Sequence, residues 1–213
     1  MDGVEAVACD MNSDFQEAFE ERCPHIQPVF DYFHRVKNFN DKVVGGIRKN
    51  EQRRLHEEGD HKGADSLKRS RYILTSSRET LQKRDEEAEK GKVISKGSTL
   101  FSKEEIVRKS VHVDNYDELL SQTRLLFTLG LIKEKLTEAY KMRDEVKMAE
   151  KISDIMDTCT ATGNTHLRWF KRLLDNHFEG IIAHATYDIS AGKIEGINKK
   201  IKNPQETGIC LSR

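Results

Sequence analysis

The sequence predicts an α/β protein that is predominantly helical. Charged residues make up 34% of the 213-residue chain and only 3 prolines occur, a composition typical of long, solvated helices. Two short β-compatible runs flank one amphipathic helix within the first 35 residues, and from Val36 onward apolar residues recur every three to four positions. These observations predict a small strand, helix, strand beginning followed by a long helical region.

The first predicted element is a short strand within "VEAVACDMN", which runs into Asp10. A helix follows over "SDFQEAFEERCP", because Ser13 is a good N-cap and Gln16 completes a capping box. Pro24 ends this helix, since proline cannot donate the next backbone hydrogen bond. A strand followed by a helix is the expected start of an α/β unit.

A second short strand is predicted from Ile26 to Phe30, running directly into Asp31. Pro28 within it indicates a bulge or an edge position, because proline donates no hydrogen bond to a strand ladder. A right-handed crossover through the helix would make the two strands parallel. Asp10 and Asp31 would then both follow carboxyl ends of strands, where α/β sheets usually bind their ligands.

A long helical region is predicted from Val36. Gly45 and Gly46 weaken its first helix, residues 62–90 read as helical and heavily charged, and "KGKVISKGSTLFSKEE" is predicted to be a mobile loop. Three later helices, the first beginning near Tyr116, have apolar stripes at a spacing of three to four residues. The stripes are Leu125, Leu129, Ile132, Leu136 and Tyr140; Ile152, Ile155, Met156 and Cys159; and Leu167, Phe170, Leu174, Phe178 and Ile181.

A last helix is predicted in "SAGKIEGINKKIK", after the glycine. Helical spacing separates its apolar residues from its polar ones. The apolar face carries Ile194, Ile197 and Ile201, and the polar face carries Glu195, Asn198, Lys199 and Lys202. Glu195 is therefore either a surface charge that pairs with Lys199 or a carboxylate that does chemistry.

Composition and cysteine usage indicate the compartment. No apolar run approaches the roughly 20 residues that span a bilayer and no signal peptide opens the chain, so no membrane partner is expected. The four cysteines are scattered, without a C-x-x-C pair: Cys9, Cys23, Cys159 and Cys210. A reducing, cytoplasmic compartment with free thiols is predicted.

The net charge of zero hides a partition along the chain. Residues 1–34 contain one basic and eight acidic residues, whereas residues 35–109 contain 20 basic and 13 acidic ones. An acidic segment (1–34) followed by a basic segment (35–109) suits a protein that binds a cation at one place and a polyanion beside it. The alternative is that these charges belong to ordinary solvated helix faces.

Asp10, Asp31 and Glu195 are the candidate metal ligands. Mg²⁺ prefers oxygen ligands, commonly one or two carboxylates together with substrate phosphates, and two such ions can clamp a phosphoryl displacement. Each residue also has a structural explanation. Asp10 could be a turn residue, Asp31 and His34 could form an ion pair, and the helix dipole favours a carboxylate such as Glu195 near an N-terminus in any case.

Two other candidates are weaker. Cys23 and His25 could ligate zinc, but nothing completes a set of four ligands at a familiar spacing. Trp169 is predicted to lie in the core rather than to stack on bases, because its helix is apolar.

Three sequence blocks together resemble insertion-sequence transposases of the Asp-Asp-Glu class, in the group called ISL-three. Those sequences carry D-M-x-x-x-[FY], a short helix and D-x-F-H-[VI]-[VIL]-K, and near their ends x-G-x-[IVL]-E-G-[IL]-N-x-K-I-K. This chain reads "DMNSDF", "DYFHRVK" and "AGKIEGINKKIK" in the same order, with a long helical segment before the last block. The resemblance covers about residues 4–202.

The resemblance implies a partial ribonuclease-H-like (retroviral-integrase-like) core with a large all-helical insertion. It implies a partial core with two strands at 1–48, the helical insertion at 49–165, a return to the core with the Glu-bearing helix at 166–203, and an atypical tail at 204–213. Its partner would be DNA, both transposon ends and target, in the bacterial cytoplasm at the nucleoid. Homo-oligomerisation is left open.

The matching motifs also imply the site residues. Asp10 resembles the second Asp of the catalytic triad and Glu195 its closing Glu, and both would bind Mg²⁺ or Mn²⁺. Asp31 and His34 match the D-x-x-H signature, and the choice of direct metal ligand between Asp10 and Asp31 stays open, with Asp10 favoured. The residues expected to contact DNA are Lys37, Asn198, Lys199 and Lys202.

Two features depart from the family pattern. The family's first catalytic Asp lies on an earlier strand, and Asp2, only eight residues before Asp10, does not fit it. After Lys202, "NPQETGICLSR" stands where the family has a basic segment. We therefore expect a truncated transposase fragment that is inactive alone. The alternative is a non-enzymatic helical remnant that binds DNA or oligomerises.

Overall fold

The computed structural model describes most of the 213 residues. The described residues are 3–9, 13–91, 93–95, 105–107 and 110–189. They are mainly helical and include two small sheets, so the predicted α/β, predominantly helical class is confirmed. None of the described helices is long and apolar enough to cross a membrane.

Four strands and twelve α-helices occur in the described residues, with a π-helical segment at Phe39–Val44. The strands are β1 (Ala6–Cys9), β2 (Gln27–Phe30), β3 (Val93–Ser95) and β4 (Glu105–Val107). The helices are α1 (Ser13–Arg22), α2 (Tyr32–Asn38), α3 (Gly45–Glu57), α4 (His61–Lys68), α5 (Arg71–Thr75), α6 (Arg78–Glu89), α7 (His112–Gln122), α8 (Arg124–Ala139), α9 (Glu145–Ala161), α10 (Thr165–Asn176), α11 (Phe178–Ile182) and α12 (His184–Tyr187).

Strands β1 and β2 form the first sheet, with α1 between them in the chain. They are parallel, as predicted, and their register runs from the pair Ala6 and Gln27 to the pair Cys9 and Phe30. Because Cys9 and Phe30 are partners, the two strands end level with each other at one edge. A ribonuclease-H-like sheet contains more than two strands. The assignment of this region to a ribonuclease-H-like core therefore stays a prediction.

Two helices end earlier than the apolar periodicity predicts. The helix predicted to begin near Tyr116 is interrupted at Thr123, which is extended and separates α7 from α8. The stripe that starts at Leu167 is likewise interrupted at His177, between α10 and α11. An apolar stripe can continue across a break when both helices bury the same side, so periodicity alone does not show such breaks.

The segment predicted to be a mobile loop contains β3, which pairs with β4 as an antiparallel hairpin. Their β-branched residues explain the difference, since Val93 and Ile94 lie opposite Val107 and Ile106. Trp169 also differs from its prediction, with 38% of its surface exposed.

The chain divides into two compact units, each assembled from separated stretches. Unit 1 consists of Met1–Asn38, Leu136–Gly163 and Arg168–Arg213, and unit 2 consists of Phe39–Lys135 and Asn164–Leu167. The first sheet and the start of the predicted site belong to unit 1, and most of the basic segment (35–109) belongs to unit 2.

In unit 1, α11 packs on β2, and α9 packs on α11 and α12. Gly180 on α11 allows this close approach. A Cβ at that position would lie 2.5 Å from ring atoms of Phe30 and 3.0 Å from the carbonyl oxygen of Pro28. The fully buried apolar residues include Val29, Met148, Ile152, Ile155, Cys159, Phe170, Leu174 and Ile181.

In unit 2, α3 packs against α4 and the π-helical segment, and α6 packs against α7. Buried polar side chains satisfy backbone groups that helix ends leave free. Arg48 Nη1 donates to the carbonyl oxygen of Leu67 at 2.8 Å, and Asp85 Oδ2 accepts from the backbone N–H of Val113 at 2.9 Å. The fully buried apolar residues include Phe39, Val43, Ile47, Leu81, Leu126 and Ile132.

Candidate active site at the strand ends

Helix α2 begins directly after β2 and carries the described part of the predicted site. Asp31 is buried, with 4% of its surface exposed, whereas His34 is half-buried and Lys37 is exposed. The other predicted site residues lie outside the described residues: Asp10, Glu195, Asn198, Lys199 and Lys202. That folding brings Asp10 and Glu195 together therefore stays a prediction.

Asp31 caps the first turn of α2. Its Oδ1 accepts a hydrogen bond from the backbone N–H of Phe33 at 3.1 Å, which satisfies one of the donors that a helix N-terminus leaves free. The positive end of the helix dipole also favours a carboxylate at this position. The side chain is thereby fixed against the backbone at the point where β2 becomes α2.

Arg35 is a residue of this site that the sequence reasoning missed. It is fully buried, and its Nη2 donates to the carbonyl oxygen of Phe30 at 2.5 Å. Its guanidinium carbon lies 4.8 Å from the ring centroid of Tyr140. Burial lowers the pKa of Arg35 to about 9, against the opposing influence of Asp31 and Cys9. The side chain stays charged at neutral pH, where it ties the end of β2 to α2 and balances Asp31.

Two signals in the sequence could have identified Arg35. It follows Asp31 by four residues, the spacing at which opposite charges meet on a helix. It also stands in "DYFHRVK" where the ISL-three pattern carries Val or Ile. An aliphatic position in a motif predicts a buried side chain, and a buried cation is stable only with a counter-charge or hydrogen-bond partners.

Two histidines near the end of the described part of unit 1 complete the cluster: His177, between α10 and α11, and His184, at the start of α12. The ring of His177 lies edge-on to Phe30 with centroids 5.0 Å apart, and the ring of His184 lies 5.0 Å from that of Tyr140. Burial lowers the pKa of both histidines, and the charge of Arg35 lowers both further. Both rings are therefore neutral at pH 7 and pack as aromatic surfaces.

This arrangement suits positioning better than metal ligation. Among the described residues, no group of three or more His, Cys, Asp or Glu side chains could hold a metal ion, and this covers Cys23 and His25. The positive charge that balances Asp31 would repel a divalent cation there. The contacts of the described residues thus fit Asp31 as the residue that fixes the strand end, and the choice of metal ligand between Asp10 and Asp31 stays a prediction.

The sequence is similar to known transposases. A family model of the DDE ISL3 group, described as a transposase, matches residues 1–209. A transposase for insertion sequence element IS1001 from Bordetella parapertussis is 22% identical over 199 residues, which cover 93% of this chain. The chain spans about two fifths of that relative, 42% of its length. No solved structure matches the chain significantly.

Proposed function

The chain belongs to the ISL3 family of DDE transposases, and from this membership we propose that it carries part of a centre that cuts and joins DNA strands. Asp10 and Glu195 would hold Mg²⁺ or Mn²⁺, which when bound would activate the attacking hydroxyl and stabilise the leaving oxygen. The substrates would be transposon ends and target DNA. The activity of a whole transposase is part of the proposal, because the chain spans 42% of its relative.

The match of the transposase family model to residues 1–209 carries this proposal, and the register of the first sheet supports its part at the strand ends. Cys9 and Phe30 are partners in neighbouring parallel strands, and Asp10 and Asp31 directly follow them in the chain. Neighbouring strands lie about 4.8 Å apart, and consecutive Cα atoms are about 3.8 Å apart. Within the proposal, Asp10 would act beside the end of β1, next to the strand end that Asp31 and Arg35 hold.

Within this proposal the described residues have positioning and binding roles. Asp31 and Arg35 fix the end of β2, and thereby the edge of the sheet from which Asp10 would reach the metal. His34 positions the same edge or contacts DNA. Lys37, exposed on α2, would contact a phosphate. The polar face of the last predicted helix would contact the DNA backbone beside the metal through Asn198, Lys199 and Lys202.

Iron-directed cleavage of the protein tests the metal site without requiring DNA cleavage. Fe²⁺ can replace Mg²⁺, and with ascorbate and peroxide it generates radicals that cut the polypeptide beside the bound ion. We expect cuts near residue 10 and near residue 195 of the full chain, which excess Mg²⁺ suppresses. Asp10→Asn and Glu195→Gln should each remove both cuts, because the two carboxylates share the ion.

Asp31→Asn is the matched control for this experiment. An amide oxygen can still accept the hydrogen bond from Phe33, so the cap persists and both cuts should remain. Cuts near residue 10 that survive Glu195→Gln would disprove the shared site. Loss of both cuts in a folded Asp31→Asn variant, with Asp10→Asn still cut, would assign the metal to Asp31 instead.

Non-enzymatic DNA binding by unit 2 is a second candidate function. It is favoured by the excess of basic residues in 35–109 and by their exposure on α3 and α4. Lys49 and Arg53 lie one turn apart on the exposed side of α3. The other exposed basic residues of these two helices include Arg54, Lys62 and Lys68.

Salt dependence measures this binding. Each phosphate contact contributes about −0.9 to the slope of log K against log salt concentration. Lys49→Ala with Arg53→Ala should therefore make the slope shallower by about 1.8 for a duplex probe in fluorescence anisotropy. Lys147→Ala, an exposed lysine of α9 in unit 1, is the control and should leave the slope unchanged. Equal slopes for all these variants would exclude α3 from the DNA contact.

A further inference from the structure

Helix α8 carries an exposed apolar stripe on unit 2. Phe127 has 59% and Leu131 has 37% of its surface exposed, and the two lie four residues apart on one side of the helix. Arg124 precedes Phe127 by three residues and Glu134 follows Leu131 by three, and both charges are exposed. This spacing of three, four and three is that of the a and d positions of a coiled coil.

A groove of about 280 Å³ runs beside this stripe, between α7 and α8. Arg78 and Asp117, which are hydrogen-bonded to each other, lie at its polar rim. Its apolar lining consists of Leu120, Phe127, Gly130 and Leu131. A large apolar side chain from another molecule would therefore find a partly formed pocket beside the stripe, the setting in which interface anchors contribute most.

Two antiparallel copies of this stripe would place opposite charges against each other. When two copies of α8 lie antiparallel about an axis level with residue 129, position 124 faces 134 and position 127 faces 131. Layers of a against d are those of antiparallel coiled coils. The Arg124 side chain of each copy would then face Glu134 of the other copy, which gives one pair of opposite charges at each end of the contact. A parallel pair would instead place arginine against arginine and glutamate against glutamate.

We propose that a second copy of this chain docks on α8, antiparallel and related by a two-fold axis. Phe127 packs against the partner's Leu131 and reaches the partner's groove, and Arg124 pairs with the partner's Glu134. A two-fold contact of this kind is isologous, so one surface closes the assembly as a dimer. The proposal concerns α8 alone and does not depend on metal binding or on strand cleavage.

Analytical ultracentrifugation of the full chain tests the contact. We expect a reversible equilibrium between monomer and dimer at micromolar concentrations. Phe127→Glu should abolish the dimer, because it places a charge in the apolar centre. Val146→Glu is the matched control, since Val146 is an exposed valine on α9, 68% exposed and off the stripe, and it should leave the dimer intact.

A charge exchange tests the antiparallel register. Arg124→Glu and Glu134→Arg should each weaken the dimer about 30-fold, because two symmetric pairs change from attraction to repulsion at once. The double variant with both changes restores opposite charges at both pairs, so its dimer should regain the original strength. All four positions of the pairs are exposed. Glu134 also interacts electrostatically with Arg78 and Lys133 of its own chain, so cooperative thermal melts at concentrations below dimerisation should confirm that each variant is folded.

Three results would overturn the proposal. They are a wild-type chain that stays monomeric at every concentration, a double variant no stronger than the single variants, and a Val146→Glu variant that dissociates as fully as Phe127→Glu. The second result would count against the antiparallel arrangement in particular. Only in that arrangement does exchanging the charges at positions 124 and 134 restore opposite charges across the contact.

Discussion

Replacing Arg35 with methionine is expected to lower the free energy of unfolding of unit 1 by about 3–5 kcal/mol. The guanidinium donates to Phe30 and lies beside the buried carboxylate of Asp31. Methionine fills similar space, but it supplies neither that donor nor the positive charge. A buried carboxylate that loses its counter-charge costs far more than a lost surface ion pair.

Chemical denaturation followed by tryptophan fluorescence measures this loss. Trp169 is the single tryptophan of the chain and belongs to unit 1, so its signal reports on the unit that the substitution affects. Lys37→Met removes an exposed cation from the same helix and should change the stability by less than about 0.5 kcal/mol. Equal losses for the two variants would show that the position of Arg35 beside Asp31 has no special effect.

A double substitution separates the charge pair from general packing. Asp31→Asn removes the carboxylate that Arg35 balances, so Asp31→Asn with Arg35→Met leaves no uncompensated charge in the cluster. Its loss should be smaller than the sum of the two single losses by about 1–3 kcal/mol, the coupling expected for contacting residues. Strict additivity would mean that the two side chains do not act on each other.

The beginning of the fold was predictable because its signals are local. Ser13, Gln16 and Pro24 mark the ends of one helix, and the β-compatible run up to Phe30 marks the second strand. The parallel pairing also followed, because handedness restricts how two strands can be connected through a helix. The side chain that follows the second strand, Asp31, could be placed for the same reason, since its position depends only on the strand before it.

The cluster behind that strand end was not predictable from local pattern. Arg35 meets Tyr140, which is 105 residues further along the chain. His177, before α11, and His184, at the start of α12, reach the same place from near the end of the described residues. Periodicity assigns a residue to one side of its own helix, but it does not identify the distant residue on which that side packs.

Trp169 shows the related limit for surfaces. Its helix is amphipathic rather than apolar, and Leu167, Phe170 and Leu174 occupy the buried side of α10 and leave the indole 38% exposed. The apolar content of a helix therefore predicts that a core-facing side exists. The spacing of Leu167, Phe170 and Leu174 already leaves Trp169 off that side, because neighbouring positions on a helix point in different directions, so the stripe predicts the burial of Trp169 better than the apolar content does.

Gly180→Ala is expected to destabilise unit 1 by about 1–3 kcal/mol, although alanine is the better helix former. The added Cβ would lie 2.5 Å from ring atoms of Phe30, which is itself only 1% exposed. It would also lie 3.0 Å from the carbonyl oxygen of Pro28, a strand backbone atom that cannot rotate away. The overlap must separate α11 from β2 or force the buried ring out of its position.

Gly45→Ala is the control, because both glycines lie in helices but only Gly180 is packed closely against Phe30 and Pro28. A Cβ at Gly45 meets its nearest neighbour, the carbonyl oxygen of Asn40, at an ordinary 3.4 Å. That variant should be unchanged or more stable by up to about 1 kcal/mol in thermal melts. A stabilising Gly180→Ala would show that α11 does not pack tightly on β2.

Tight packing of α11 on β2 has a second consequence for the strand end. An alanine at position 180 would displace β2 and with it the strand end that Asp31 and Arg35 hold. Iron-directed cleavage near residue 10 should therefore weaken in Gly180→Ala and persist in Gly45→Ala.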